Sequence, residues 1–252
     1  VVDTKRAFRI GISNVTLPGN KNTFPPAFQS KSRLHYYSSI FNSVEINSCF
    51  YKTPLLSTYQ KWALDVPEDF QFSLKFSKEI THVRNLAGDT AGLIKFMQSA
   101  SGVGNKKGCL LIQFPGAISL DYFNRVEEIL QEIHVNSEPF NHWRKAVEFR
   151  NPSWYTGETY ELLNQYHAVT VLHDFKKGKL SEISGEEDFV YMRFHGPGGD
   201  YRDSYDDGFL QLKAAQIRIW LDEGKDVYAY FNNTIGSAFD NAVSLKKMIS
   251  LT

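Results

Sequence analysis

Only two cysteines, Cys49 and Cys109, occur in the 252 residues, each inside an apolar segment. That scarcity excludes a disulfide-stapled scaffold or a cysteine-rich zinc site and fits free thiols in a reducing compartment. Charge of one sign is also lacking: 28 Lys plus Arg balance 28 Asp plus Glu. Without a global basic field, the driving force for non-specific nucleic-acid binding is missing, and only a local basic patch would serve. No apolar run approaches the roughly 18 residues of a membrane helix. The first residues, VVDTKRAFRI, hold no signal-peptide stretch, so no membrane partner and a cytoplasmic location are expected. Several catalytic signatures are absent too. GVGNKKG (102–108) precedes a strand-like segment instead of following one, so it is neither a dinucleotide fingerprint nor a P-loop. There is no GxSxG elbow and no HExxH pair.

What is present is a rhythm. Short β-branched and aromatic segments alternate with stretches of helical period, the pattern of βα units around a parallel sheet. Eight strands are predicted, over 8–13, 43–51, 70–76, 109–115, 146–151, 168–174, 189–196 and 227–233. Helices are predicted over 34–41, 55–64, 90–100, 121–133, 158–166, 210–221 and 238–249. Residues 174–188 show no apolar stripe, so the sixth crossover is expected to be mostly loop. The expected fold class is α/β, a single TIM (β/α)8 barrel over residues 1–252, since about 250 residues is the usual size of that fold.

The segment KAVEFRN (145–151) raises the question of function. Side chains two apart in a strand share a face, so Glu148 and Arg150 enter one space while Val147 and Phe149 enter another. The same division recurs along the chain. One parity is apolar, as in Ile10, Val44, Phe72, Leu110, Met192 and Ala229, and suits contact with helices. The other holds Ser13, Glu45 with Asn47, Ser73 with Lys75, Gln113, Arg193 with His195, and Tyr230 with Asn232. In the sixth strand either His173 or Asp174 could point inward. A barrel lumen is normally filled with apolar side chains, and unpaired charge there costs several kcal/mol. These groups cluster toward the strand C-termini, where barrel enzymes place their sites. A self-satisfied salt-bridge network sealing the barrel is the structural alternative.

The chain also resembles the family catalogued as domain of unknown function 72, or YecE-like. The blocks carrying the resemblance are LHYYSSIFNSVEINSCFYKTP (34–54), VPEDFQFSLKFSKEITH (66–82), LLIQFP (110–115), AVEFRNPSWY (146–155), FVYMRFHGP (189–197) and VYAYFNNTIGSAFDNA (227–242). The resemblance implies a TIM barrel without an established biochemical role. The chain departs from the pattern in its first block, where GISNVTLPGN (11–20) lacks the family's Trp.

Three functions are compatible with such a mouth. One is an enzyme acting on a small anionic molecule, phosphate- or carboxylate-bearing, by acid-base hydrolysis or lysis. In it Glu45, Glu148 and His195 transfer protons, while Lys75, Arg150 and Arg193 hold charge. Asn47, Gln113, Trp154, Gly196, Tyr230, Asn232 and Asn233 complete the expected ligand contacts. The glycines of HGPGGD (195–200) and the segment NNTIGSA (232–238) are placed to form a phosphate loop, or simply a tight turn. His82 could reach the mouth, and Trp154 with Tyr155 could form its flat wall or pack in the core. The second is a nucleic-acid-processing or nucleic-acid-binding barrel, and the third a non-catalytic ligand-binding protein. No cofactor is predicted. A divalent metal on Glu45, Glu148, His173, Asp174 and His195 is a weaker expectation. The acidic loop 200–207 is expected to be solvated, as a movable cover. His35, His134, His142 and His167 are expected to be surface or packing residues.

Overall fold

The computed structural model describes residues 7–137, 143–176, 178–180, 182–183 and 187–250. Eight parallel strands form one sheet: β1 (Phe8–Ile12), β2 (Ser43–Ile46), β3 (Gln71–Lys75), β4 (Lys107–Phe114), β5 (Arg144–Phe149), β6 (Ala168–His173), β7 (Phe189–Phe194) and β8 (Asp226–Phe231). The helices are α1 (Arg33–Ile40), α2 (Leu56–Leu64), the short α3 (Lys78–Thr81), α4 (Thr90–Ala100), α5 (Phe123–Ser137), α6 (Gly157–Gln165), α7 (Asp207–Asp222) and α8 (Ala238–Ser250). Polar caps set several starts, satisfying amides that have no partner within the helix: Ser32 accepts from His35 N, Asp89 from Gly92 N, and Asp206 from Phe209 N. No helix joins β6 to β7 among the described residues; the expected loop runs there, with 177, 181 and 184–186 outside them, as is His142. No described helix is long and apolar enough to cross a membrane.

Strand order is β1-β8-β7-β6-β5-β4-β3-β2, so the barrel closes between β1 and β2. That seam is unusual. It has a single bridge, Ser13 to Glu45, with Asn14 N donating to Glu45 O at 2.7 Å. Side chains replace the missing backbone ladder. Asn42 accepts from Ile10 N at 2.9 Å and donates to Phe8 O at 2.8 Å. Tyr37 OH accepts from Ile12 N at 2.7 Å and donates to Ser43 O at 3.1 Å. Gly11 permits this: a Cβ there would lie 2.1 Å from Ser43 O and 2.7 Å from the Tyr37 hydroxyl.

The predicted alternation is realised. Ile10, Val44, Phe72, Leu110, Val147, Met192 and Ala229 belong to the core between strands and helices, while Cys109, Leu111, Ala146, Val171, Tyr191 and Tyr228 belong to a separate lumen layer. Most strands end earlier than predicted. Ser13, Asn47, Arg150, Asp174, His195 and Asn232 each follow immediately on the last residue of a strand. Parity carries one residue past the ladder, so most of these side chains still turn to the mouth.

Candidate functional site

The mouth is built on a chain of four charges. Glu45 Oε1 accepts from Ser13 Oγ at 2.7 Å and Arg193 Nη2 at 2.8 Å; its Oε2 accepts from Tyr191 OH at 2.7 Å and Arg193 Nε at 2.9 Å. Arg193 thus grips Glu45 with a planar fork, the geometry in which a guanidinium binds a carboxylate best. Its Nη1 donates to Glu148 Oε2 at 2.7 Å, and Glu148 Oε1 takes the Nε–H of Arg150. Both carboxylates are completely buried. Burial alone would raise their pKa values, but the neighbouring guanidiniums outweigh it and hold both below the ordinary carboxylate range.

His195 completes the network in one defined form. Arg150 Nη2 lies 3.1 Å and Arg193 Nη1 3.2 Å from its Nε2. A guanidinium only donates, so Nε2 presents its lone pair, and the ring proton sits on Nδ1, 3.5 Å from Asp174 Oδ1. Burial, with Arg193 and Arg150 adding repulsion, pushes the His195 pKa down to about 4 against the Asp174 contact, so the ring is neutral near pH 7. His173, expected as one of two inward candidates, turns its Nε2 toward Phe149 O at 3.3 Å and Tyr155 OH at 3.3 Å. Asp174 accepts from His195 N at 2.7 Å and from Tyr205 OH.

Above the network lies a polar cavity of about 240 Å³. Its wall includes Asn47, Lys75, Gln113, Arg150, Arg193 and Asn232, six of the residues expected to contact ligand. Lys75 Nζ donates to Gln113 Oε1 at 2.7 Å and lies 4.1 Å from the Phe50 ring centroid. Burial foremost, then repulsion by Arg193, lowers its pKa to about 8. His82 lies behind this wall, in contact with two of its residues: its Nε2 is 3.4 Å from Gln113 Nε2, its ring packs edge-on to Phe50, and burial lowers its pKa to about 4. A second hollow of about 380 Å³ shares Gln113, Arg150 and Tyr201 and runs out over Pro115 and Gly116.

Seven expected site residues do not line either space. Glu45, Glu148 and His195 sit beneath the floor. Trp154 is buried on the helix side, stacked on Phe149 at 4.4 Å, with its Nε1 donating to Ile118 O at 2.8 Å. Its position after β5 suggested a wall, but the chain turns it into the outer core. Tyr230 lies deeper in the lumen, its hydroxyl shared between Ser43 Oγ at 2.5 Å and Ser73 Oγ at 2.9 Å. Asn233 points away and donates to Asp203 O at 2.9 Å and Asn241 Oδ1 at 3.0 Å.

Gly196 fails as a phosphate donor for a similar reason. Its N–H is given to Tyr205 OH at 2.6 Å. Ile235 N and Ser237 N are taken by Tyr201 O at 3.0 Å and Asp203 O at 3.1 Å. The loop after β7 therefore engages three of the amides that a phosphate loop after strands seven and eight would draw on. The same bonds pin the acidic segment expected to act as a movable cover.

The aromatic wall comes from residues not singled out: Phe50, Tyr51, Phe175 and Tyr201. Arg150 lies over the Phe175 ring at 3.6 Å, and Phe175 and Tyr201 both pack edge-on to His195. Asn14 joins the cavity with its backbone at φ 63° and its Oδ1 accepting from Asn47 N at 3.0 Å. Their signal was positional: each follows a strand C-terminus. Among the described residues no group of three or more His, Cys, Asp or Glu is placed to hold a metal. Guanidinium N–H groups already engage Glu45 and Glu148, and His195 N and Tyr205 OH engage Asp174. Cys49 and Cys109 are buried and free.

Comparison with known proteins gives concordant results. A protein of Bacillus subtilis (strain 168), "UPF0759 protein YunF", is 26% identical over 265 residues, covering 90% of each chain. The crystal structure of a DUF72 family protein from Thermotoga maritima superposes with a TM-score of 0.77 at 24% identity, covering 97% of this chain and 99% of that one. A DUF72 family protein from Enterococcus faecalis gives a TM-score of 0.76 at 20% identity, covering 98% and 99%. The model of the family described as "Protein of unknown function DUF72" matches residues 9–252, and the chain belongs to that family.

Proposed function

We propose that the mouth binds a small anion, phosphate- or carboxylate-bearing, and that the protein is an enzyme acting on it by acid-base chemistry. One observation carries the reading: the carboxylates lie beneath the floor, while Arg150 and Lys75 keep donors turned to the cavity above it. All four carboxylate oxygens accept hydrogen bonds beneath the floor, whereas Arg150, Arg193 and Lys75 line the cavity. Among the described residues Arg150 Nη1 makes no hydrogen bond, although a guanidinium has five N–H groups to place. The charges do pair, as a sealing network would, yet the pairing leaves donors over and a cavity for them to serve. Among the described residues Lys75 forms no ion pair within 4 Å.

On this reading Glu45, Glu148 and His195 are positioning residues, not proton donors to substrate. They hold two guanidiniums at fixed angles so that little ordering is left for binding. Lys75, titrating near pH 8, is the group on the wall suited to moving a proton, with His82 beside it. The test is calorimetric titration with inorganic phosphate, sulfate and oxalate at low ionic strength. Saturable binding is expected for the wild type, weakened about tenfold or more in Arg150→Met, as for loss of a charge-assisted contact. Trp154→Phe should bind as the wild type does. No saturable heat with any of the three anions overturns the reading.

A further inference from the structure

We infer that Lys75 is an amine nucleophile that condenses with the aldehyde or ketone group of a small anionic carbonyl compound bound in the mouth. The inference rests on the anion-binding reading and narrows its substrate class. It starts from the company Lys75 keeps. Among the described residues the one hydrogen-bond partner of its Nζ is the amide oxygen of Gln113, a neutral acceptor that serves an ammonium and an amine alike. Gln113 is turned that way by its other end, which faces His82 Nε2 at 3.4 Å.

The charged groups around Lys75 divide. Arg193 and Arg150 disfavour the ammonium, while Glu148 and Glu45 favour it from below the floor, where guanidiniums already engage them. The Phe50 face, 4.1 Å from Nζ, attracts a cation but excludes water from that side. Burial outweighs the rest, and the fall from 10.5 to about 8 raises the unprotonated fraction at neutral pH by roughly two orders of magnitude, although the ammonium still predominates there. An amine that serves only to grip an anion gains nothing from that change, whereas a nucleophile requires it.

The arrangement also supplies the second requirement. Arg150 shares the cavity and, among the described residues, its Nη1 has no partner, so a carboxylate or phosphate held there would bring a carbonyl carbon a few bonds away toward Nζ. The Nζ lone pair attacks that carbon, and the C=O π pair moves to oxygen, which takes up a proton. The resulting carbinolamine loses its hydroxyl as water and its remaining surplus N–H proton, leaving C=N. Amine plus carbonyl gives imine plus water, with no oxidant or reductant consumed.

The test uses glyoxylate, an aldehyde with an adjacent carboxylate, and cyanoborohydride, which delivers hydride to the imine and fixes it. Peptide mapping then measures labelling at each lysine. Lys75 should be labelled about tenfold or more faster than exposed Lys61 and Lys247, with a rate rising through about pH 8. Inorganic phosphate should protect Lys75 alone, and Arg150→Met should slow its labelling. Neutral propionaldehyde should show no such preference. Lys75→Arg should lose the label, whereas Trp154→Phe, outside the site, should keep both the label and phosphate binding. Labelling of Lys75 no faster than that of Lys61 and Lys247, in protein that binds phosphate, sinks the imine and leaves anion binding standing. Absence of phosphate binding sinks both. Equal preference for glyoxylate and propionaldehyde at Lys75 also overturns the inference, because the carbonyl compound would then need no anionic group.

Discussion

Arginine closes both ends of the lumen, on different terms. At the strand N-termini Arg144 meets Asp226 Oδ2 at 2.6 Å, donates to Tyr228 OH at 3.0 Å and lies over the Phe189 and Tyr228 rings. That side chain is 39% exposed, and its pair is a single bridge. At the C-terminal mouth Arg193 is 1% exposed and engages two carboxylates that are 0% exposed. A half-solvated pair covers an apolar layer and asks little of its geometry. A desolvated one must satisfy every donor and acceptor, and in doing so it fixes the direction of each group.

The sharpest way to break that contrast is to remove each guanidinium in turn. Arg193→Met strands the buried Glu45 and leaves Glu148 to Arg150 alone, and should cost about 3–5 kcal/mol in urea denaturation. Arg144→Met, at the exposed end, should cost about 1 kcal/mol or less. Equal losses would mean that the two ends do the same work.

Acid should expose the same difference with a smaller effect. The folded protein holds His195 and His82 near 4, below the ordinary 6.5, so the unfolded chain takes up protons first as pH falls from 6.5. Stability is therefore lost across that window. It continues to fall below 4.5, where the unfolded chain protonates Glu45 and Glu148 while the folded chain resists. Urea titrations at pH 7 and pH 4 check this, and a flat profile would contradict the buried network.

The smallest effect concerns Lys75. Its folded pKa lies below 10.5, so the ammonium is disfavoured in the folded state at pH 7, and stability rises between about 8 and 10.5 as that proton leaves the folded chain first. Lys75→Met should stabilise slightly at pH 7, with the advantage fading above 10.5. Denaturation at both ends of that window would show it, and a destabilised Met variant would make Lys75 a structural cation like Arg144.

Much of the fold was legible because parity survives errors in strand length. Glu45, Arg193 and Gln113 fall on the inner face wherever their strands end, and a one-residue overshoot still sends Asn47, Arg150 and Asn232 to the mouth. Direction past that first residue is set by the loop. Trp154, four residues beyond Arg150, turns into the outer core, and Asn233, one beyond Asn232, turns to Asn241. Phe50 enters the wall because β2 stops at Ile46 and a short turn over Ser48–Phe50 reverses the chain. Tyr201 enters it from a left-handed backbone position, φ 71°, which the sequence does not announce for a tyrosine. The consumption of Gly196 N by Tyr205 was equally hidden, since it depends on a contact across the packed loop.

The seam between β1 and β2 adds a temporal constraint. These two strands flank the gap, but β1 is held on its other side by β8, which ends at Phe231. On the ribosome, Glu45 emerges 148 residues before its partner Arg193 and must wait in water for it. The carboxylate that orients the mouth also receives the closing bridge from Ser13. One side chain thus serves both the pocket and the completion of the circle, and a chain without β8 would leave β1 no strand neighbour but β2.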